Sequence, residues 1–188
     1  MPRLFIAIEL PAAVRQELSD VQQRLAQRVP GFRWVAAAQM HLTLLFLGET
    51  PDARLDEARQ TMDAAAAGMT PLDLALGQVG AFGRPVAPRV IWVAVQSPPA
   101  LSALQQRLAA ECQARGLASD CRPFTPHLTL GRARPEHGGR PAARFADGIA
   151  PAACPFTARE IVLFESRRDA GRTTYVARHA TLLVAALV

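Results

Sequence analysis

Five consecutive apolar residues, Leu4 to Ile8, stand between Arg3 and Glu9 and read as a short buried strand, ended by Pro11. Val14, Leu18, Val21, Leu25 and Val29 then recur at helical spacing until Pro30-Gly31 stops them, which predicts a helix with one buried face. A strand follows from Met40 to Leu47. Thr50-Pro51 opens a second helix marked by Leu55, Ala58 and Met62 before Gly68. Leu72, Leu74 and Leu76 alternate as a strand, the stretch Gly77 to Gly83 breaks it, and Val90 to Val95 supplies the next one. Ser97-Pro98 opens a third helix, with Leu101, Leu104, Leu108 and Cys112 on one face until Gly116. His127 to Leu130 is strand-like, Gly131 to Asp147 reads as a loop, and Ile161 to Phe164 and Tyr175 to Val184 close the pattern around a polar turn, Ser166 to Thr173. Strand runs separated by polar turns favour antiparallel pairing with helices on the outer faces, an α+β arrangement.

At 188 residues the chain suits one compact unit, and its composition, half apolar and one fifth charged, excludes a disordered chain or a coiled coil. No apolar stretch approaches the roughly 20 residues needed to cross a bilayer, and no signal-peptide pattern follows Ile8, so a cytoplasmic protein without a membrane partner is expected. Three cysteines, Cys112, Cys121 and Cys154, without C-x-x-C spacing fit neither a disulfide framework nor a zinc site. All 21 basic residues are arginine, and the net charge of +5 resides in residues 115–188, where eleven arginines face six acids. An anionic ligand near that half is consistent with this asymmetry, as is a solvated basic face.

The word His-Leu-Thr-Leu occurs twice, at His41–Leu44 and His127–Leu130, 86 residues apart. In a strand, His and Thr at i and i+2 share one face while the leucines point to the other, so each copy has a polar face and a core face. A lone histidine is usually structural; two identical polar faces are more economically explained by a shared cleft holding an anion. Paired imidazoles suit general acid–base chemistry near neutral pH, and the threonine hydroxyls can donate to phosphoryl oxygens. No carboxylate or thiolate stands at ligand spacing beside either histidine, so neither a metal nor another cofactor is implied.

These motifs and their flanks resemble the 2H phosphoesterases, and within them the RNA 2′,3′-cyclic phosphodiesterases, also called 2′-5′ RNA ligases. The likeness runs through Arg3–Ala7, Arg33-Trp34-Val35, His41–Gly48 and Arg122–Arg132. It implies a single two-lobed domain over residues 1–188, with pseudo-twofold symmetry, antiparallel sheets and the site in the central cleft. It further implies metal-independent hydrolysis of RNA 2′,3′-cyclic phosphate ends to 2′-phosphomonoesters, with minor 2′-5′ ligation. By the same resemblance His41 is the proton donor, His127 the proton acceptor, and Arg132 a phosphate contact alongside Thr43 and Thr129.

Strict alternation puts Arg132 on the face opposite His127 and Thr129, so this role requires a bulge or strand end near Gly131. Trp34 and Phe124 precede the two motifs and are base-stacking candidates, with core packing as the alternative for each. Arg134, Arg140 and Arg144 are loop cations that could guide an RNA backbone, while His137 and His179 have no partner motif and read as structural or solvent-facing. The expected partner is RNA with a cyclic phosphate end, tRNA halves included, with small 2′,3′-cyclic nucleotides as an alternative substrate class. A non-catalytic module that binds RNA ends or phosphate is the competing reading, and no oligomeric state is readable.

Overall fold

The computed structural model describes residues 1–84, 87–120, 122–134, 145–169 and 172–185. Among them lie nine strands: β1 (Arg3–Glu9), β2 (Phe32–Trp34), β3 (His41–Glu49), β4 (Leu72–Arg84), β5 (Ala87–Gln96), β6 (His127–Ala133), β7 (Phe156–Ala158), β8 (Glu160–Asp169) and β9 (Arg172–Leu182). The α-helices among them are α1 (Ala12–Ala26), α2 (Leu55–Ala66) and α3 (Pro99–Ala114). Every strand pair is antiparallel, so the architecture is α+β as the pattern of apolar runs implies.

Along the sheet the order is β7-β4-β5-β6-β3-β1-β8-β9, with β2 also paired to β6. The central joint, β3 against β6, is made by one residue pair, Leu42 with Leu128. On either side the strands diverge, and each half repeats one path: β1–α1–β3 matches β5–α3–β6 in order and direction. His41 opens β3 and His127 opens β6, so the repeated word begins the last strand of each unit. An approximate dyad through the Leu42–Leu128 pair relates the two.

The helices cover one face of this sheet. Val14, Leu18, Val21 and Leu25 of α1 and Leu101, Leu104, Leu108 and Cys112 of α3 are buried, together with Ile6, Ile8, Leu42, Ile91, Val93 and Leu128 from the strands. Burying such a side chain stabilises the fold by about 1.5–3 kcal/mol, so these rows anchor both strands that carry histidines. The opposite face holds a smaller cluster, Phe5, Ala7, Val162 and Phe164, with Tyr175 packed against it. Cys112 is a buried apolar group whose thiol is pushed up to about 11 by burial. Among the described residues no helix is long and apolar enough to cross a membrane. Cys121, His137, Arg140 and Arg144 lie outside the described residues.

Several boundaries differ from the sequence pattern. The first helix ends at Ala26, and Val29 is buried from a turn in which its N–H bonds the Leu25 carbonyl. Thr50 does not cap the second helix, because a 3-10 turn at Asp52–Arg54 intervenes and Thr50 is itself buried. Ser97 makes no cap either; Pro98 occupies that position, with Pro99 in the first turn. Glycines 77 and 80 do not break the fourth strand, which runs on to Arg84 with a register shift between Leu76 and Val79. Their missing side chains are used instead: a Cβ on Gly80 would lie 2.3 Å from the Trp92 ring. The polar segment 166–173 is largely the end of a ladder, in which Arg167 pairs with Thr174 and Asp169 with Arg172.

Candidate active site

The Leu42–Leu128 pair sets the geometry of the site. Extending its antiparallel register by one residue brings His41 opposite Thr129 and Thr43 opposite His127, all four on the face away from the helices. The burial pattern agrees, with Leu42 and Leu128 at 0% exposure and the histidines and threonines half-buried.

Beyond the threonines both strands break alternation in the same way. In the β5–β6 ladder, Ile91 pairs with Gly131 and Trp92 with Thr129, so Leu130 is an extra residue. In the β1–β3 ladder, Ile6 pairs with Leu45 and Ala7 with Thr43, leaving Leu44 as its counterpart. Each bulge buries two successive residues and returns the next one to the open face. That residue is Phe46 in β3 and Arg132 in β6. Arg132 therefore lines the cleft with His127 and Thr129, and the bulge that alternation demanded lies at Leu130–Gly131. Gly131 is used because a Cβ there would sit 2.8 Å from the Trp34 ring.

The two imidazoles are held alike. His41 Nδ1–H donates to the Gln39 carbonyl at 2.8 Å, and His127 Nδ1–H donates to the Thr125 carbonyl at 2.7 Å. Both bonds fix the neutral tautomer with its proton on Nδ1, leaving Nε2 as the free nitrogen of a ring that lines the cleft. Aromatic neighbours fix the ring planes. His41 sits 4.8 Å from the Phe5 centroid and edge-on to Tyr175 at 5.1 Å, while His127 meets Phe82 edge-on at 4.8 Å.

Burial pushes both histidines below the ordinary imidazole value of 6.5, against the opposing pull of their backbone hydrogen bonds. The Arg132 charge lowers both further, joined by His127 for His41 and by Arg122 for His127. Stability from these groups is fully present above 6.5 and declines as the pH falls through the depressed folded-state values, because the unfolded chain accepts protons that the folded one refuses. An NMR titration of the imidazole Cε1 protons should place both midpoints below 6.5 and move them upward when inorganic phosphate is added. Midpoints at or above 6.5 without phosphate would contradict this electrostatic picture.

The cleft has a volume of about 410 Å³, and Arg3, Gln39, Arg122, Ser166 and Tyr175 line it besides the two His-Thr pairs and Arg132. It adjoins a second pocket of about 600 Å³ that shares His127, Thr129 and Arg132 and is walled by Phe46, Phe82, Arg89, Gln105 and Phe124. Phe124 thus shares the second pocket with His127, while part of it packs against the main core. Trp34 does not line either pocket: it is packed against the main core, over Gly131 and 5.9 Å from Phe32. Arg122 is tied to Asp120 in an ion pair on the cleft rim. Arg134 contributes its backbone N–H to the Gly31 carbonyl. His179 bonds Asp63 at 2.9 Å on the outer edge of the sheet, a structural contact as its isolation in sequence suggests. Among the described residues no group of three or more His, Cys, Asp or Glu gathers in metal-binding geometry.

Sequence reasoning missed Phe5, Gln39, Phe82, Ser166 and Tyr175. Phe5 reaches His41 through the β1–β3 pairing, and Tyr175 comes from the far end of the chain, so only long-range pairing reveals them. The shared bulge is visible only in the ladder registers, Gly131 being the one local hint of it in the second motif.

Fold and cleft together define a pseudo-symmetric α+β protein whose halves each present a His-x-Thr face to one anion-sized space. The chain belongs to the 2′-5′ RNA ligase superfamily, whose family model matches residues 10–170. A Geobacillus stearothermophilus protein named RNA 2′,3′-cyclic phosphodiesterase is 34% identical over 166 residues, covering 88% of this chain and 52% of the relative. The chain thus spans about half the length of that relative. An Escherichia coli K12 protein of the same name is 32% identical, with 92% of each chain covered. A crystal structure of E. coli LigT complexed with 3′-AMP has a TM-score of 0.72 at 28% identity, covering 97% of this chain and 98% of that one.

Proposed function

We propose that this protein hydrolyses RNA 2′,3′-cyclic phosphate ends to 2′-phosphomonoesters by two-histidine acid–base catalysis, with residues 1–188 acting as one two-lobed unit. The observation that carries the reading is the pair of imidazoles with matching Nδ1 anchors lining the cleft that also contains Arg132. The names of the relatives supply the substrate class.

In this mechanism a water oxygen attacks phosphorus while His127 Nε2 takes its proton. The bond from phosphorus to the 3′-oxygen breaks, and protonated His41 gives its Nε2 proton to that oxygen. The imidazoles exchange protonation states and reset through solvent. Arg132 and the hydroxyls of Thr43 and Thr129 hold the phosphoryl oxygens as charge accumulates on them. Burial depresses the His41 imidazole, so its acid form depends on the substrate anion, whose charge raises the imidazole toward neutral pH. No step requires a metal or another cofactor.

Phe124, with exposed Phe46 and Phe82 on the same pocket, offers apolar surface for the terminal base; Trp34, which lines neither pocket, is the weaker of the two stacking candidates. RNA with a cyclic phosphate end, tRNA halves included, is the partner class, and small 2′,3′-cyclic nucleotides are a separate substrate class with the same reacting group. Ligation to a 2′-5′ bond is the same displacement with a 5′-hydroxyl as nucleophile instead of water, and is minor unless a second RNA end is held in position to attack. The free thiols of Cys112 and Cys154 suit a reducing, cytoplasmic setting.

Incubating the protein and a chelator with an oligonucleotide ending in 2′,3′-cyclic phosphate tests the proposal: ring opening to the 2′-phosphate is expected. Recovery of the 3′-phosphate alone would reverse the leaving-group assignment. Tight binding without turnover would favour the RNA-end-binding alternative.

A further inference from the structure

The bulge that turns Arg132 into the cleft has a cost. Leu130 has no partner in the β5 ladder, and slipping the register by one residue would restore pairing while sending Arg132 to the opposite face. The Leu130 carbonyl finds two donors elsewhere. The Val35 N–H reaches it at 2.8 Å, and the side-chain amide of Gln22, on α1, reaches it at 2.9 Å. The same Gln22 nitrogen donates its other proton to the Val35 carbonyl at 2.9 Å, closing a clamp across helix, β2 exit and bulge.

The pseudo-dyad supplies an internal comparison. Matching Val14, Val21 and Leu25 of α1 to Leu101, Leu108 and Cys112 of α3, a register that fits three of the four buried positions and sets Leu18 against Gln105 beside buried Leu104, puts Ala109 where Gln22 stands. Ala109 carries no side-chain donor, and the β3 bulge places Phe46, not an arginine, at the corresponding site. The amide clamp and the cleft cation therefore occur together in one half and are both replaced by apolar groups in the other.

From this we propose that Gln22 is a positioning residue that acts through Arg132: its amide holds the Leu130 bulge and thereby aims the guanidinium at the bound phosphoryl group. This rests on the phosphate-binding role proposed above for Arg132. Without the clamp a half-buried carbonyl loses a donor, the bulge relaxes, and the cation samples orientations off the cleft. Gln22 touches no reacting atom.

The test is a double-mutant cycle with Gln22→Met, which keeps length and volume but has no donor, and Arg132→Ala. Gln22→Ala serves as a second clamp-free variant, and thermal unfolding checks that each is folded. Two readouts are taken, inorganic phosphate affinity from the imidazole titration and steady-state kinetics on a cyclic-ended RNA. Gln22→Met is expected to weaken phosphate binding and lower kcat/KM by about tenfold in the Arg132 background, and to change neither further once Arg132 is alanine. Equal losses in both backgrounds, or no loss with Arg132 present, would overturn the proposal. Failure of the unsubstituted protein to turn over RNA while phosphate binding still shows the coupling would sink the enzymatic reading and leave the positioning role standing. Turnover without coupling would do the reverse.

Discussion

Alanine in place of His41 or His127 is expected to lower turnover on a cyclic-ended RNA by a factor of about 10² to 10⁴, the scale for losing a general acid or base, equivalent to roughly 3–5.5 kcal/mol of transition-state stabilisation. Both rings are anchored through Nδ1 to carbonyls of their own approach segments, so neither deletion disturbs the other half. The leucines between the motif residues, which carry the fold, are untouched. The two variants should differ in how they are relieved. An aryl phosphodiester whose leaving group needs no proton restores the His41 variant and leaves the His127 variant impaired, because activation of water is still missing. Added imidazole should restore part of the activity of the His127 variant. Kinetics on both substrates check this, and a His41 variant equally impaired on each would contradict its assignment as the acid.

Removal of the Arg132 side chain is expected to cost about 10² to 10³ in kcat, the effect of losing one preorganised donor from a site of developing negative charge. Lysine should recover only part, since it supplies the charge without the planar fork that engages two oxygens at once. The same substitution has an electrostatic signature. Arg132 depresses both imidazoles, so Arg132→Ala should raise both titration midpoints in the absence of ligand. A variant that loses activity with unmoved midpoints would show that the guanidinium is not directed at the cleft.

The candidate catalytic face was legible because its grammar is local. His41 with Thr43 and His127 with Thr129 follow from strand periodicity, and repetition of the word implies the dyad that the Leu42–Leu128 pair embodies. The side on which Arg132 emerges was not local: it depends on a register shift in the ladder with β5 and on a glutamine from α1, neither of which leaves a mark in His127–Arg132 beyond Gly131. Trp34 was legible as an aromatic beside a motif, but its ring belongs to the core because Gly131 opens a space for it. The short strands β2 and β7 escaped notice since three residues hold too few alternations to register as a period. The long β8–β9 hairpin was shortened for the opposite reason, polar residues at its tip imitating a turn.

The arrangement of two imidazoles about one phosphorus is open to direct observation in a crystal structure of the protein with a bound 2′-phosphomononucleotide product. The phosphate is expected in the central cleft, with the Nε2 atoms of His41 and His127 on opposite sides of it. Each should lie about 2.6–3.2 Å from a different phosphate oxygen, with the Arg132 guanidinium on a third. A phosphate bound elsewhere, or met by only one of the two rings, would contradict the mechanism.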